Sequence, residues 1–177
     1  MTVALRPEPI RTRRLELVWL PAEAMRNLLD GRLPDLGGAR LPADWVADIG
    51  PLLRLRIAQV ERMPEHAPWL LRAIALRDER RVVGHIGFHG GPGANALADP
   101  DAVELGYTVE SADRRHGYAT EAILGMSKWA RDSGVRRVLV SISPDNVPSL
   151  ALARILGARE ITTVRDAEGD EIVFELR

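Results

Sequence analysis

The stretch that decides the fold is VELGYTVESADRRHGYAT, which spans residues 103–120. Its first part, Val103–Val109, alternates apolar and other residues, a pattern that predicts a β-strand. Its end leads into residues 119–133, where apolar side chains recur at helical spacing and predict an amphipathic helix that ends at Gly134. A strand therefore passes into a helix through one short polar turn.

This turn has the features of an anion-binding site. The first N–H groups of a helix have no intrahelical partner, and the helix dipole adds positive charge at the same end. Gly117 would let an anion approach the backbone closely, and Arg114 and Arg115 add charge beside it. The alternative is a capped surface helix that carries two solvated arginines.

A second junction of the same kind follows farther along the chain. The sequence predicts a strand at Val138–Ile142 and a helix at Ser149–Leu156 that ends at Gly157. Asn146 and Ser149 are typical helix-capping residues, so capping is the simpler interpretation of this segment alone. Together the two segments place two strand-to-helix junctions in one sheet.

The remaining patterns predict a single mixed α/β domain over residues 1–177. Further strands are expected at Leu15–Leu20, Trp69–Arg77, Arg81–Phe88, Glu160–Arg165 and Glu171–Arg177, the last two joined by a turn across Asp166–Asp170. A short helix is expected between Pro21 and Gly31. Two more helical pieces, Pro42–Ile49 and Pro51–Met63, are expected to break at Gly50-Pro51, because proline lacks an N–H and crowds the preceding turn.

Composition excludes several classes of protein. The chain has 177 residues, is 46% apolar, has a net charge of −1 and contains no cysteine. These values disfavour a disordered chain, a disulfide or thiolate-metal scaffold, a cysteine nucleophile and a nucleic-acid-binding protein. The first residues lack the apolar segment of a secretory signal, and no window is apolar enough to span a membrane, so we expect a cytoplasmic protein.

In the order and spacing of these motifs the sequence resembles the GCN5-related N-acetyltransferase (GNAT) superfamily. The family's pyrophosphate loop, Arg/Gln-x-x-Gly-x-Gly/Ala, is similar to residues 114–119. Its second motif matches Asn146, Ser149, Leu152 and Gly157, but the usual tyrosine is Ala153 and the usual phenylalanine is Ala158. Residues 10–17 and 104–107 resemble the branch that includes ribosomal-protein N-terminal acetyltransferases.

The resemblance implies a mixed, mostly antiparallel sheet flanked by helices, with strands splayed at a site for acetyl-CoA. It implies direct transfer of the acetyl group to a primary amine, on a protein N-terminus or a small molecule, with no covalent enzyme intermediate. No metal is expected, and homodimers are common among similar proteins. The cofactor contacts implied are Tyr107, Thr108, Val109, Arg114, Arg115, His116, Gly117, Tyr118, Ala119, Thr120, Asn146 and Ser149.

Acetyl transfer also needs a base, because the attacking amine must lose a proton, and a base with a pKa near neutrality serves best. Strand alternation puts Glu104 on the face opposite its apolar neighbours, where partial burial would raise its pKa, so Glu104 is the candidate base. A solvated strand glutamate is the alternative. His85 and His89 lie four residues apart on one face of a neighbouring predicted strand. His89 is a second candidate, although ordinary sheet histidines are the simpler interpretation.

Ala153 supports a different function. The tyrosine that it replaces usually protonates the departing thiolate, so the chain could be a non-catalytic acyl-CoA-binding module. A thiol with a pKa of about 8.5 leaves tolerably without full protonation, and water or a neighbouring hydroxyl can assist, so acetyl transfer stays the main prediction.

The neutral net charge hides a local split. Residues 95–110 carry Asp99, Asp101, Glu104 and Glu110 and no basic residue, whereas residues 111–137 carry six basic and three acidic residues. This predicts an acidic lobe for a cationic amine beside a basic loop for CoA. Residues 21–63, which we expect to shape the acceptor site, contain no motif that identifies the amine.

Overall fold

The computed structural model describes residues 7–165 and 169–177. The predictions for the first six residues, and for the tip of the last turn at residues 166–168, lie outside the described residues. The strands are β1 Ile10–Arg11, β2 Leu15–Trp19, β3 Arg72–Leu76, β4 Arg81–Phe88, β5 Ala102–Val109, β6 Arg137–Ile142, β7 Arg159–Arg165 and β8 Asp170–Leu176. The helices are α1 Ala22–Leu29, α2 Trp45–Arg62, α3 Tyr118–Asp132 and α4 Val147–Ile155, with 3₁₀ turns at Pro64–Trp69 and Ser111–Asp113.

All eight strands form one sheet in the order β1-β2-β3-β4-β5-β6-β8-β7. Every neighbouring pair is antiparallel except β5 and β6, which run parallel because α3 connects them. The predicted mixed, mostly antiparallel α/β architecture is confirmed.

The sheet opens between its two parallel strands. β5 and β6 are paired only from Ala102↔Arg137 to Glu104↔Leu139, although β5 continues to Val109 and β6 to Ile142. On its other side β5 stays paired with β4 as far as Val109. β5 and β6 therefore separate beyond Glu104, and the predicted splay is confirmed.

The two faces of the sheet are covered by different helices. On one face α3 and α4 pack on the largest core cluster, to which β5 contributes Val103, Leu105 and Val109. On the other face α1 and α2 pack on a second cluster that includes Trp45 and Leu53. Because side chains alternate along a strand, Glu104, Gly106 and Thr108 face the second side. We call this the α2 face of the sheet.

The predicted break at Gly50-Pro51 is wrong, since α2 runs unbroken from Trp45 to Arg62 with Pro51 inside it. Trp45, Ile49 and Leu53 recur every four residues and are all buried, so their stripe continues across the proline. Burial of three large apolar side chains outweighs the roughly 3 kcal/mol penalty of an internal proline. Trp69, predicted to begin a strand, ends the first 3₁₀ turn instead.

Candidate active site

The site begins with the free edge of β5. His89 donates its N–H to Glu104 O at 2.8 Å, and Glu110 donates to Val83 O at 2.9 Å, so every second residue of β5 directs its backbone groups to β4. The alternate residues, Tyr107 and Val109 among them, direct theirs into the splay. Thr108, predicted with them, has its backbone groups on the β4 side, which leaves only its side chain for a ligand.

A strained loop joins this edge to α3. Arg115 has φ 62° and Gly117 has φ 79°, so two residues of the loop adopt the left-handed conformation. Tyr118 begins the helix, and no side chain caps it. The capped helix considered as an alternative is therefore not what the chain forms. The N–H groups of the first turn point out of an exposed loop that also carries Arg114.

Arg14 organises this loop, a role that the sequence analysis missed. Its Nη1 donates to His116 O at 2.8 Å, and its Nε donates to Glu121 Oε2 at 2.7 Å. Burial raises the pKa of Glu121, but hydrogen bonds from Thr12 and Arg14 outweigh this and lower it overall. Arg14 belongs to the segment that resembles the family's opening, yet its contact lies more than a hundred residues away in sequence.

A second ion pair fixes the start of the loop. The buried carboxylate of Asp113 accepts two hydrogen bonds from the Arg81 guanidinium, at 2.8 and 2.9 Å, and this pairing raises the pKa of Arg81. His116 stacks on Tyr118 with 5.5 Å between ring centroids. His116 thus belongs to the loop.

The far side of the splay is formed by α4. Asn146 Oδ1 accepts the N–H of Ser149 at 3.2 Å, so Asn146 caps the helix. Tyr107 donates its hydroxyl to Ser149 Oγ at 3.2 Å and thereby bridges β5 to α4. Burial raises the pKa of Tyr107, against a smaller lowering by this hydrogen bond. Ala153 is buried in the core and offers no proton donor.

Glu104 and His89 meet on the α2 face. The Glu104 side chain is only 3% exposed, its Oε2 accepts the N–H of Ala96 at 2.5 Å, and its Oε1 lies 3.4 Å from His89 Nδ1. The His89 side chain is 47% exposed. Its Nε2 lies over Gly106, where an added Cβ would be 3.2 Å away. The imidazole is open to a substrate, and the carboxylate lies behind it.

Two side chains of α2 donate hydrogen bonds to the backbone carbonyl of His89. Gln59 Nε2 donates to His89 O at 2.6 Å, and Arg56 Nη1 donates to the same oxygen at 3.3 Å. Partial burial lowers the pKa of His89, Glu104 raises it, and the Arg56 charge lowers it, with a net lowering. His85 lies on the same face as predicted, where burial and the Arg56 charge lower its pKa to about 4. Both imidazoles are therefore neutral at pH 7.

The predicted acidic lobe is largely neutralised. Asp99 pairs with Arg137, and Asp101 lies 3.6 Å from Arg136. Both arginines come from the start of β6, which the parallel register places beside the start of β5. These acidic and basic residues lie in separate segments of the sequence, but the parallel pairing of β5 and β6 brings them together.

The described residues contain neither a metal-binding cluster nor a membrane-spanning helix. In residues 7–165 and 169–177 no three histidine, cysteine or acidic side chains are grouped so that they could hold a metal ion. Within the same ranges, each helix is too short or too polar to traverse a bilayer.

Known proteins share this architecture. A Bacillus subtilis (strain 168) protein named Uncharacterized N-acetyltransferase YjdG is 31% identical over 85 residues, and that match covers 48% of each chain. The ribosomal-protein-S5-alanine acetyltransferase of Vibrio fischeri superimposes with a TM-score of 0.62 at 12% identity, over 96% of both chains. The Microcin C7 self-immunity acetyltransferase MccE, solved with acetyl-CoA and AMP, gives 0.61 at 16% identity, over 93% of this chain and 92% of its own.

The structural likenesses establish the fold, and the family follows from the sequence. The family model described as Acetyltransferase (GNAT) domain matches residues 39–159, which include β3 to β6, the loop before α3 and all of α4. Since this match covers well over half of the chain, the protein belongs to the GNAT acetyltransferase family.

Proposed function

We propose that the protein transfers an acetyl group from acetyl-CoA to a primary amine. The observation that carries this proposal is the junction of two sets of free backbone groups, the edge of β5 and the N-terminus of α3, which no side chain caps. A molecule with a pyrophosphate at one end and an extended amide chain at the other fits both. Family membership supports the same substrate.

The loop before α3 would bind the pyrophosphate. Backbone N–H groups from Arg115 to Thr120 surround the helix N-terminus, and Arg114 and Arg115 lie exposed beside it. Arg14 holds the His116 carbonyl away from the anion and adds its own positive charge. Tyr107 and Val109 would bind the pantetheine amides as an added strand would, with Asn146 and Ser149 across the opening.

His89 would accept the proton of the attacking amine. Its imidazole is neutral and exposed, and the lowered pKa leaves it unprotonated at neutral pH. Glu104 acts as a positioning residue, because its carboxylate near Nδ1 favours the tautomer in which Nε2 is free to accept. The buried carboxylate itself does not reach a substrate. Glu104, which the sequence predicts as the base, would therefore act as the partner of His89.

Tyr107 would supply the proton for the departing thiolate. Ser149 and Ala153 lie four residues apart and therefore share one face of α4. The Tyr107 hydroxyl contacts this face through Ser149. In the family the usual tyrosine occupies the position of Ala153, on the same face. Ser149 can then donate to the Tyr107 oxygen as the phenol releases its proton. The phenol is protonated at neutral pH because its ordinary pKa is about 10, and burial raises that pKa further.

Tyr107→Phe is expected to lower kcat about 10- to 100-fold and to change the affinity for acetyl-CoA less than about twofold. The decrease is smaller than the roughly 10²- to 10⁴-fold typical of a general acid, because a thiol with a pKa of about 8.5 leaves tolerably without full protonation. Steady-state release of CoA and calorimetric titration with acetyl-CoA measure the two quantities. Ser149→Ala should give a smaller decrease of kcat. If Tyr107→Phe weakens binding and leaves kcat unchanged, the hydroxyl only closes the splay.

The second candidate function is a non-catalytic acyl-CoA-binding module, favoured by the buried Ala153. Thermal stabilisation by acetyl-CoA, followed by CoA release with a panel of amines and N-terminal peptides, separates the two. Stabilisation with turnover supports the transferase, and stabilisation without turnover supports the binding module. Absence of stabilisation by both acetyl-CoA and CoA contradicts both functions.

We also propose that residues 1–177 form one domain that acts in the cytoplasm. The continuous sheet from β1 to β7 supports the first statement. Homodimer formation is a further expectation from the resemblance, and the mass of the protein in solution would test it.

A further inference from the structure

Arg56 is a partly buried cation beside His89 with no carboxylate partner among the described residues. The side chain lies half-buried on α2, where Nη1 donates to Gln59 Oε1 at 2.8 Å and to His89 O at 3.3 Å. Burial lowers its pKa, and no carboxylate of the described residues offsets that effect. Two other arginines near the site have counter-ions, since Arg14 pairs with Glu121 and Arg81 with Asp113.

A guanidinium that loses water without gaining an anion destabilises the folded protein. An anionic ligand bound to the guanidinium would offset that cost. Nη1 is used by the protein, but Nε and Nη2 have no partner among residues 7–165 and 169–177. These two donors form the side of the guanidinium that binds a carboxylate or phosphate through two parallel hydrogen bonds.

The position of Arg56 points to the amine substrate and not to CoA. Its contact with His89 O places it on the α2 face, beside the proposed base. The loop that would hold the pyrophosphate lies instead at the far end of β5, after Val109. The Arg56 charge therefore acts beside the proposed base, where the amine must enter.

We infer that the acceptor is an amine carrying a carboxylate or phosphate group, which Arg56 binds while His89 accepts the amine proton. This inference rests on the proposed function and names the class of its acceptor. An anionic acceptor replaces the cationic one that the predicted acidic lobe implied. Asp99 and Asp101 are paired with arginines, and the charge without a counter-ion beside His89 is that of Arg56.

The test compares acceptors with and without this anion, with kcat/KM expressed per unprotonated amine because the anion also raises the pKa of the amine. Amino acids are paired with their primary amides, and phosphoethanolamine with ethanolamine, so the two arms separate carboxylate from phosphate. At a pH above the acid limb of the rate profile, kcat/KM should favour the anionic member of at least one arm about 10- to 100-fold. Arg56→Gln should bring the ratio of kcat/KM between the anionic and the neutral member of each pair close to one, whatever its effect on the rate common to both members.

Arg54→Gln is the matched control, because it removes the same charge from an exposed position of the same helix. It should keep the preference. A preference for the neutral members overturns the inference, as does a preference for the anionic members that survives in Arg56→Gln. Turnover of neutral amines with failure of every anionic amine also overturns it. Stabilisation by acetyl-CoA without turnover of any amine, or loss of that stabilisation, would contradict the proposed function instead.

Discussion

Gly117→Val is expected to abolish measurable binding of acetyl-CoA, with affinity lowered by at least about a hundredfold. Gly117 has φ 79°, which a β-branched residue rarely adopts, so the loop would have to change its conformation. An added Cβ would also lie 3.3 Å from Arg14 Nη2, within the contact that holds the loop. The variant would therefore lose the arrangement of N–H groups before α3. Calorimetric titration with acetyl-CoA and thermal shift measure the loss.

Gly134→Val provides a matched control at the other end of α3. Gly134 has φ 94°, so valine is strained there too, but an added Cβ would have no neighbour within 4 Å. We expect this variant to lose thermal stability and to bind acetyl-CoA normally. Equal affinity losses in the two variants would mean that binding follows the stability of α3 and not the shape of the loop.

The local part of the site was predictable from the sequence. Alternation in Val103–Val109 identifies β5, and the turn with Gly117 before an amphipathic stretch identifies α3. The helix-capping role considered for Asn146 is confirmed, because its side chain caps α4 as residues of its type usually do. These features depend on residues that lie close together along the chain, so a single sequence is enough to predict them.

The long-range part was not predictable. Arg14 reaches His116 and Glu121, and α2 brings Arg56 to the end of β4, through contacts that no pattern along the chain encodes. The proline rule failed in α2 because the buried stripe across Pro51 outweighs a local penalty. Glu104 was placed on the correct face by alternation, but the sequence could not reveal that His89 stands in front of it.

The division of roles between His89 and Glu104 predicts opposite shifts of the pH–rate profile. With His89 as base, kcat/KM falls as the pH drops through the pKa of the imidazole, which lies below its ordinary value of about 6.5. Glu104 raises this pKa, so Glu104→Gln should move the acid limb to lower pH. Arg56 lowers it, so Arg56→Gln should move the limb to higher pH.

We expect kcat to change in the same variants as the pH–rate profile. His89→Gln is expected to lower kcat about 10²- to 10⁴-fold and to remove the limb, because the proton acceptor is gone. Glu104→Gln should lower kcat about 10- to 100-fold, since an amide donating to Nδ1 would put the proton on Nε2 and block acceptance there. His85→Gln, on the same face and already neutral at pH 7, should keep both rate and profile. If Glu104→Gln removes the limb and His89→Gln keeps it, the carboxylate is the base, and the α2 face must open to admit the amine.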